Sequence, residues 1–197
     1  MSNCRTHIIH EAYKLFLSNN VEKVTIPELE KATKKSRGSI FYHFKDKIDL
    51  FNCIVNEIFL PQLEVPVQMY HTVLNVSFKQ FVESYKSPEE RAIEIIKKKY
   101  QFSEAEKCYF DFISQAYKYS PGFKEQYTLV FAKEAQVWKM VINRNKKNGQ
   151  LTNSDSEAIA NIMMFVKTGI LFNKGHSNLS LLECEKTLLK LSGNLLE

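Results

Sequence analysis

The stretch VTIPELEKATKKSRGSIFYHF, residues 24–44, carries two helix-start signals in close succession and leaves little freedom in how it folds. Thr25 and Glu28 have the T-x-x-E spacing of a capping box. In it the threonine oxygen accepts from the Glu28 N–H while the glutamate reaches back to the Thr25 N–H. Pro27 falls in the first turn, where its missing donor costs little. Val24 and Leu29 stand at the two positions of a hydrophobic staple. This helix is expected to stop near Thr33. Lys34-Lys35 then makes a short turn, and Ser36 is positioned to cap a third helix over about 37–43. Two short helices joined by about three or four residues make a helix-turn-helix.

The remainder also reads as helix. Ile8, Ile9, Ala12, Leu15 and Phe16 recur at helical spacing over residues 5–18. Asp46 is placed to cap a fourth helix running to Phe59, with Pro61 and Pro66 bracketing its end. Further helices are expected at 69–86, 89–100, 104–119, 122–147, 155–174 and 179–192. Only 6 Gly and 5 Pro occur in 197 residues, which disfavours an all-β fold rich in turns. The chain is therefore expected to be all-α. No apolar run approaches the roughly 20 residues that span a bilayer. The polar N-terminus lacks the apolar core of a secretory signal, so a cytoplasmic protein is expected, with no membrane partner. Cys4, Cys53, Cys108 and Cys184 include no C-x-x-C pair and read as unpaired thiols.

Charge is unevenly placed. Between Lys31 and Lys47 there are six cations against the single carboxylate Asp46, so this segment carries the whole formal charge of +5. Such a spot is a footprint for phosphate, and equally a solvated charge run if nothing else supports it. Lys97, Lys98 and Lys99 end a helix, where its dipole favours cations.

Within 36–44 the aromatics lie on every side of the third helix, which a helix burying one face does not need. The second helix of a helix-turn-helix enters the DNA major groove, so one side would face protein and the other DNA. Ser36, Gly38 and Ser39 give a small N-terminus that lets backbone approach a phosphate. Arg37 suits a phosphate or a guanine edge. Phe41 suits thymine methyls, and Tyr42 and His43 carry polar tips on flat bodies. Ile40 and Phe44 are expected to turn inward.

HIIHEAYKLF, VTIPELEKAT and SRGSIFYHFKDKIDLF, taken in this order and spacing over about residues 5–55, resemble the N-terminal domain of the tetracycline-repressor (TetR) family of bacterial regulators. The resemblance implies a three-helix DNA-binding domain, 1–48, followed by a helical ligand-binding and dimerisation bundle, 49–197. It implies a ligand-responsive regulator, a repressor in the first instance, that binds a palindromic double-stranded operator as a homodimer. Thr25, Ser36, Arg37, Ser39, Phe41, Tyr42 and His43 would face DNA, beside the backbone of Gly38, and Lys47 would touch a phosphate. Two departures stand out. Glu30 replaces a small residue and is expected to loosen the helix pair, and Thr33-Lys34 replaces Ala-Gly, which predicts a left-handed lysine costing roughly 1 kcal/mol.

The segment NKKNGQLTNSDSEAIANIMMFVKTGILF resembles the join between the family's two dimerisation helices, with the turn at Gly149-Gln150-Leu151 and the next helix start at Asp155-Ser156-Glu157. Ile159, Ile162, Met163, Val166, Gly169 and Ile170 offer an apolar strip for the partner subunit or for packing within the monomer. The middle helices are rich in aromatics, which serve either as core or as walls of a small-molecule site. Under the family reading Phe78, Tyr109, Phe112, Phe131 and Trp138 would line such a site, for an apolar or aromatic effector with few charges.

No catalytic motif appears. His7, His10 and Glu11 share a helix face without a third ligand segment, so neither metal nor cofactor is expected, nor an enzyme. The remaining alternative is an α-helical dimeric sensor or carrier that does not bind specific DNA.

Overall fold

The computed structural model describes residues 3–147 and 156–176, all of the regular structure being helical. Helix α1 (Asn3–Ser18) forms as the spacing predicts, with Ile8, Ile9, Ala12, Tyr13, Phe16 and Leu17 buried along one side. Helix α2 (Ile26–Thr33) starts in the expected box. The Thr25 Oγ1 accepts from the Glu28 N–H at 3.4 Å, and Glu28 Oε2 accepts from the Thr25 N–H at 2.7 Å. Val24 and Leu29, the staple pair, are both buried. Lys34 ends the helix at φ 53, ψ 35, the left-handed conformation predicted for it.

Helix α3 (Arg37–His43) begins at Ser36, whose Oγ accepts from the Ser39 N–H at 3.3 Å. Asp46 caps α4 (Lys47–Ile54) through the Asp49 N–H at 2.8 Å. The chain then continues without a break through a π-helical turn, Val55–Phe59, into α5 (Leu60–Gln62), so that Pro61 lies inside the final turn and not beyond it. After it come α6 (Val67–Thr72), α7 (Phe78–Ser84), α8 (Pro88–Lys99), α9 (Ala105–Tyr119), α10 (Phe123–Lys147) and α11 (Ser156–His176). The turn expected at Gly149–Leu151, the start at Asp155 and the helix expected at 179–192 lie outside the described residues.

The single helix expected over 69–86 is two helices. Ser77 and Gln80 form a second capping box, with N–H to oxygen distances of 3.2 and 2.9 Å, which restarts the chain at Phe78. Arg144 on α10 holds the intervening segment by donating to the carbonyls of Val73 and Val76, both at 3.1 Å. Asn145 Oδ1 accepts from the Phe78 N–H at 3.0 Å.

Two compact units result, Met1–Gln62 with Ala92–Tyr127, and Leu63–Arg91 with the chain from Thr128 on. In the first unit Phe51 of α4 joins Phe16 of α1 to Phe112 of α9, with ring centroids 5.5 and 5.1 Å apart, and Tyr13 meets Phe112 at 5.3 Å. Aromatic packing thus ties α1 to α4 and α9 in one core. The second unit has its own core, built from Phe78, Phe81 and Tyr85 of α7 and its C-cap, Trp138 and Val141 of α10, and Ile159 and Met163 of α11.

Candidate nucleic-acid interface

Helix α3 is held from beneath and bare above. Ile40 and Phe44 are fully buried, as the sequence predicts, and Arg5 of α1 lies over the Phe44 ring at 5.4 Å. Arg5 is itself fixed by a two-pronged bond to Glu57, one prong at 2.7 Å. On the opposite side Tyr42 is 84% exposed, the most exposed large hydrophobic side chain among the described residues. Arg37 and Gly38 are exposed, and Ser39, Phe41 and His43 half-buried. The Arg37 guanidinium lies 6.0 Å from the Phe41 ring centroid, and Tyr42 and His43 meet edge to face at 5.0 Å. Arg37, Gly38, Phe41, Lys45 and Asp46 line a shallow concavity of about 560 Å³.

Gly38 has no internal reason to be glycine. Its φ is not positive, and a Cβ there would meet nothing within 4 Å. Glycine in a helix costs about 0.5–1 kcal/mol relative to alanine, and nothing within the chain requires it at this position.

Glu30 does not loosen the helix pair. Its Oε1 accepts from the Arg37 N–H at 2.6 Å and so satisfies one of the open donors at the start of α3. The pairing spans seven residues across the turn, a relation no local pattern discloses. The hydroxyls of Thr25 and Ser36 are exposed but already engaged as caps. The Thr25 N–H and hydroxyl together hold the Glu28 carboxyl below its ordinary pKa. Lys47 donates to the carbonyls of Glu22 at 3.1 Å and Val24 at 2.6 Å, which takes up two of its three protons. Lys45, one of the six cations of the basic segment, is exposed at the same rim.

His7 donates to the Thr33 carbonyl at 2.8 Å and His10 meets the Tyr100 hydroxyl at 3.3 Å, so both rings have structural partners. Among the described residues no group of three His, Cys, Asp or Glu is placed to hold a metal. No described helix is long and apolar enough to cross a membrane.

The five aromatics assigned to a ligand site fall in both units. Tyr109 and Phe112 are fully buried in the first, where their rings lie 5.6 and 4.7 Å from that of Phe59. Phe78 and Trp138 share the core of the second, with Phe131 half-buried against it. The apolar strip on α11 is offset by one register. Ile159, Met163 and Ile170 are buried within the chain, Val166 is half-buried, and Ile162 and Gly169 are exposed. The face left open is Ile162, Phe165, Gly169 and Phe172.

Residues 8–54 match the family described as bacterial regulatory proteins, tetR family. The chain is similar to the transcriptional repressor AcnR of Corynebacterium glutamicum, with 43% identity over 56 residues, 28% of this chain and 30% of that protein. It is similar to the transcriptional regulator AcrR of Shigella flexneri, with 39% identity over 66 residues, 32% of this chain and 31% of that protein. The chain thus matches only about a third of the length of these relatives, which are regulators and not enzymes. A tetR-family regulator from Cytophaga hutchinsonii shares the fold over 99% of this chain and 97% of its own, at TM-score 0.68 and 13% identity. The helix-turn-helix built on Thr25 and Ser36 lies within the segment, residues 8–54, that matches the tetR family of bacterial regulatory proteins, and it is embedded in an all-α fold of the same kind.

Proposed function

We propose that this protein is a ligand-responsive transcriptional repressor that binds a palindromic operator as a homodimer and leaves it when a small effector binds the helical second unit. The observation that carries the reading is α3 itself. Its inner residues Ile40 and Phe44 are sealed in the core while Arg37, Gly38 and Tyr42 stand open on the most basic stretch of the chain. In this reading α3 enters the major groove, Arg37 and Tyr42 meet base edges or phosphates, and the Gly38 backbone approaches the strand. Ser36, Ser39, Phe41 and His43 flank that contact, and Thr25 and Lys47 position it from α2 and α4.

Helix α11 supports the dimer. Its open face, Ile162, Phe165, Gly169 and Phe172, lies on one side at helical spacing, and Gly169 has room around it for close approach. A second copy packing there by two-fold symmetry would present two recognition helices to two half-sites about one turn of DNA apart. Effector and operator then oppose each other by linkage: whatever favours a dimer with misplaced recognition helices lowers operator affinity, and operator lowers effector affinity equally. The aromatic core around Phe78, Phe131 and Trp138 supports the second unit as the receiver.

The test is a selection of bound fragments from genomic DNA, followed by fluorescence anisotropy of the recovered fragment over a salt series. The reading expects a two-fold related sequence bound far more tightly than scrambled DNA. It also expects an affinity that falls by about a hundredfold or more between 50 and 200 mM salt. Recovery of no preferred sequence would leave a helical sensor or carrier without specific DNA.

A further inference from the structure

Arg5 touches α3 and the continuation of α4 at once. Its guanidinium lies 5.4 Å from the ring centroid of Phe44, the residue that ends α3. The same guanidinium donates to both oxygens of Glu57, one bond at 2.7 Å. Fork-to-fork pairing of this kind fixes direction as well as distance. The Cys53 thiol, one turn before Glu57, lies against both partners, and Arg5 holds the Glu57 carboxyl below its ordinary range. One residue before Arg5, Cys4 Sγ sits 3.8 Å from Ser39 Oγ, toward the opposite end of α3. The first turn of α1 thus grips α3 at two points.

These contacts supply what burial does not. Ile40 and Phe44 are sealed in the core, but apolar burial is non-directional. It sets how deep α3 sits and constrains its roll only weakly. A roll about the helix axis would swing the open side chains of Arg37 and Tyr42 away from any edge they are meant to read.

Glu57 stands in an unusual place. It belongs to the π-helical turn Val55–Phe59, where the Leu60 N–H donates to the Val55 carbonyl five residues back. Asn56 braces this turn with its side chain, Nδ2 donating to the Asn52 carbonyl at 2.8 Å and Oδ1 accepting from Gln126 at 3.5 Å. Val55, Ile58 and Phe59 are buried on the inner side, and Asn56 and Glu57 face outward. Turns of this kind are rare and are found mostly at functional sites. The Arg5–Glu57 pair does little for stability, because its side chains remain 24% and 34% exposed. Glu57 also adds a negative charge to the unit that would meet phosphate, which opposes DNA binding. Neither stability nor bulk charge accounts for the pair, whereas alignment of α3 does.

We propose that Arg5 and Glu57 are positioning residues for DNA recognition: Glu57, presented by the π-helical turn, aims Arg5, and Arg5 sets the roll of α3 through Phe44. Neither side chain touches DNA. The inference rests on the regulator reading and assigns that reading two residues outside the recognition surface itself.

The test uses the full chain in fluorescence anisotropy over a salt series, with the DNA fragment recovered by genomic selection and scrambled DNA of equal length. Glu57→Gln keeps the shape of the side chain and removes a negative charge, so electrostatics alone would tighten its hold on any DNA. The expected result is the opposite for the selected fragment, about tenfold weaker binding, while scrambled DNA is bound as well as by wild type or better. Arg5→Ala should weaken the fragment by a similar factor and keep the wild-type salt slope. The double variant should be no worse than Arg5→Ala alone, since one clamp is lost only once. Thermal unfolding by circular dichroism is followed for each protein. Selected-fragment affinity in Glu57→Gln equal to or above wild type would overturn the proposal. So would additive losses in the double variant, a salt slope smaller by about one in Arg5→Ala, which marks a direct phosphate contact, or losses that merely track unfolded protein. A wild-type chain that prefers no fragment would bring down the regulator reading and this inference together. A wild-type preference left intact by Glu57→Gln would bring down this inference alone.

Discussion

Replacing Glu134 by glutamine should make this protein more stable at pH 8 and leave it nearly unchanged at pH 5. The unfolded carboxyl ionises near its ordinary value of 4.5, whereas the folded one keeps its proton up to about 8. Between those values the folded state holds the extra proton, so stability is highest below about 4.5 and falls as pH rises through 8. Each pH unit in that window is worth about 1.4 kcal/mol. The full span of roughly 3.5 units would amount to about 5 kcal/mol; between pH 5 and pH 8 it is of the order of 3 kcal/mol, because the unfolded carboxyl is already mostly ionised at pH 5 and the folded one only half ionised at pH 8. For a chain of this size that corresponds to a fall in Tm of about 6–12 °C between pH 5 and pH 8. The groups facing Glu134 are Glu89, Tyr85, Trp138 and Lys167, and all of them remain in the variant. Glutamine keeps the shape and an oxygen for Trp138 Nε1, so the difference between the two proteins isolates the acid. Glu89, relieved of its charged neighbour, retains a weaker slope of the same sign. Urea unfolding followed by circular dichroism at half-unit pH steps measures both curves. A wild-type curve flat from pH 5 to 8, or a variant less stable than wild type at pH 8, would refute the argument that the pair is buried at an electrostatic cost.

Three further outcomes follow from single residues. Lys34→Gly should raise stability by about 0.5–1 kcal/mol, since glycine relieves the left-handed strain at φ 53 and returns part of the gain through unfolded-state entropy; denaturant midpoints check it. Gly38→Ala should stabilise α3 by about 0.5–1 kcal/mol, because a methyl fits the open space, yet weaken binding of the selected DNA. Unchanged binding would mean that no backbone contact is made there. Phe165→Glu places a charge on the open α11 face and should shift the protein from dimer to monomer in analytical ultracentrifugation without lowering its helix content.

The helix-turn-helix was legible because its signals are local. Thr25, Glu28, Ser36 and Asp46 act within one turn of the helices they start, and the inward turn of Ile40 and Phe44 follows from helical spacing. The break between α6 and α7 was hidden because the apolar pattern runs on across it, although Ser77 and Gln80 hold the same cap spacing as Thr25 and Glu28. The role of Glu30 needs the folded turn that brings it to Arg37. The strip on α11 could be placed only in part, at Ile162 and Gly169, because that helix is apolar on most of its sides and periodicity alone does not choose between core and exterior. Glu89 and Glu134 lie on different helices far apart in sequence, and a glutamate in a helix ordinarily faces water. Only packing shows that both are buried.

The most direct measurement compares wild-type protein with Arg37→Ala on the selected DNA fragment by fluorescence anisotropy, at fixed salt, with stability checked in parallel. Arg37 is exposed, with its guanidinium over the Phe41 ring at 6.0 Å from the centroid, so its loss should leave unfolding within about 0.5 kcal/mol of wild type. If the open face of α3 reads DNA, the variant should bind the fragment at least about tenfold more weakly and lose preference over scrambled DNA. Wild-type affinity and specificity in a stably folded Arg37→Ala protein would contradict the account at its centre.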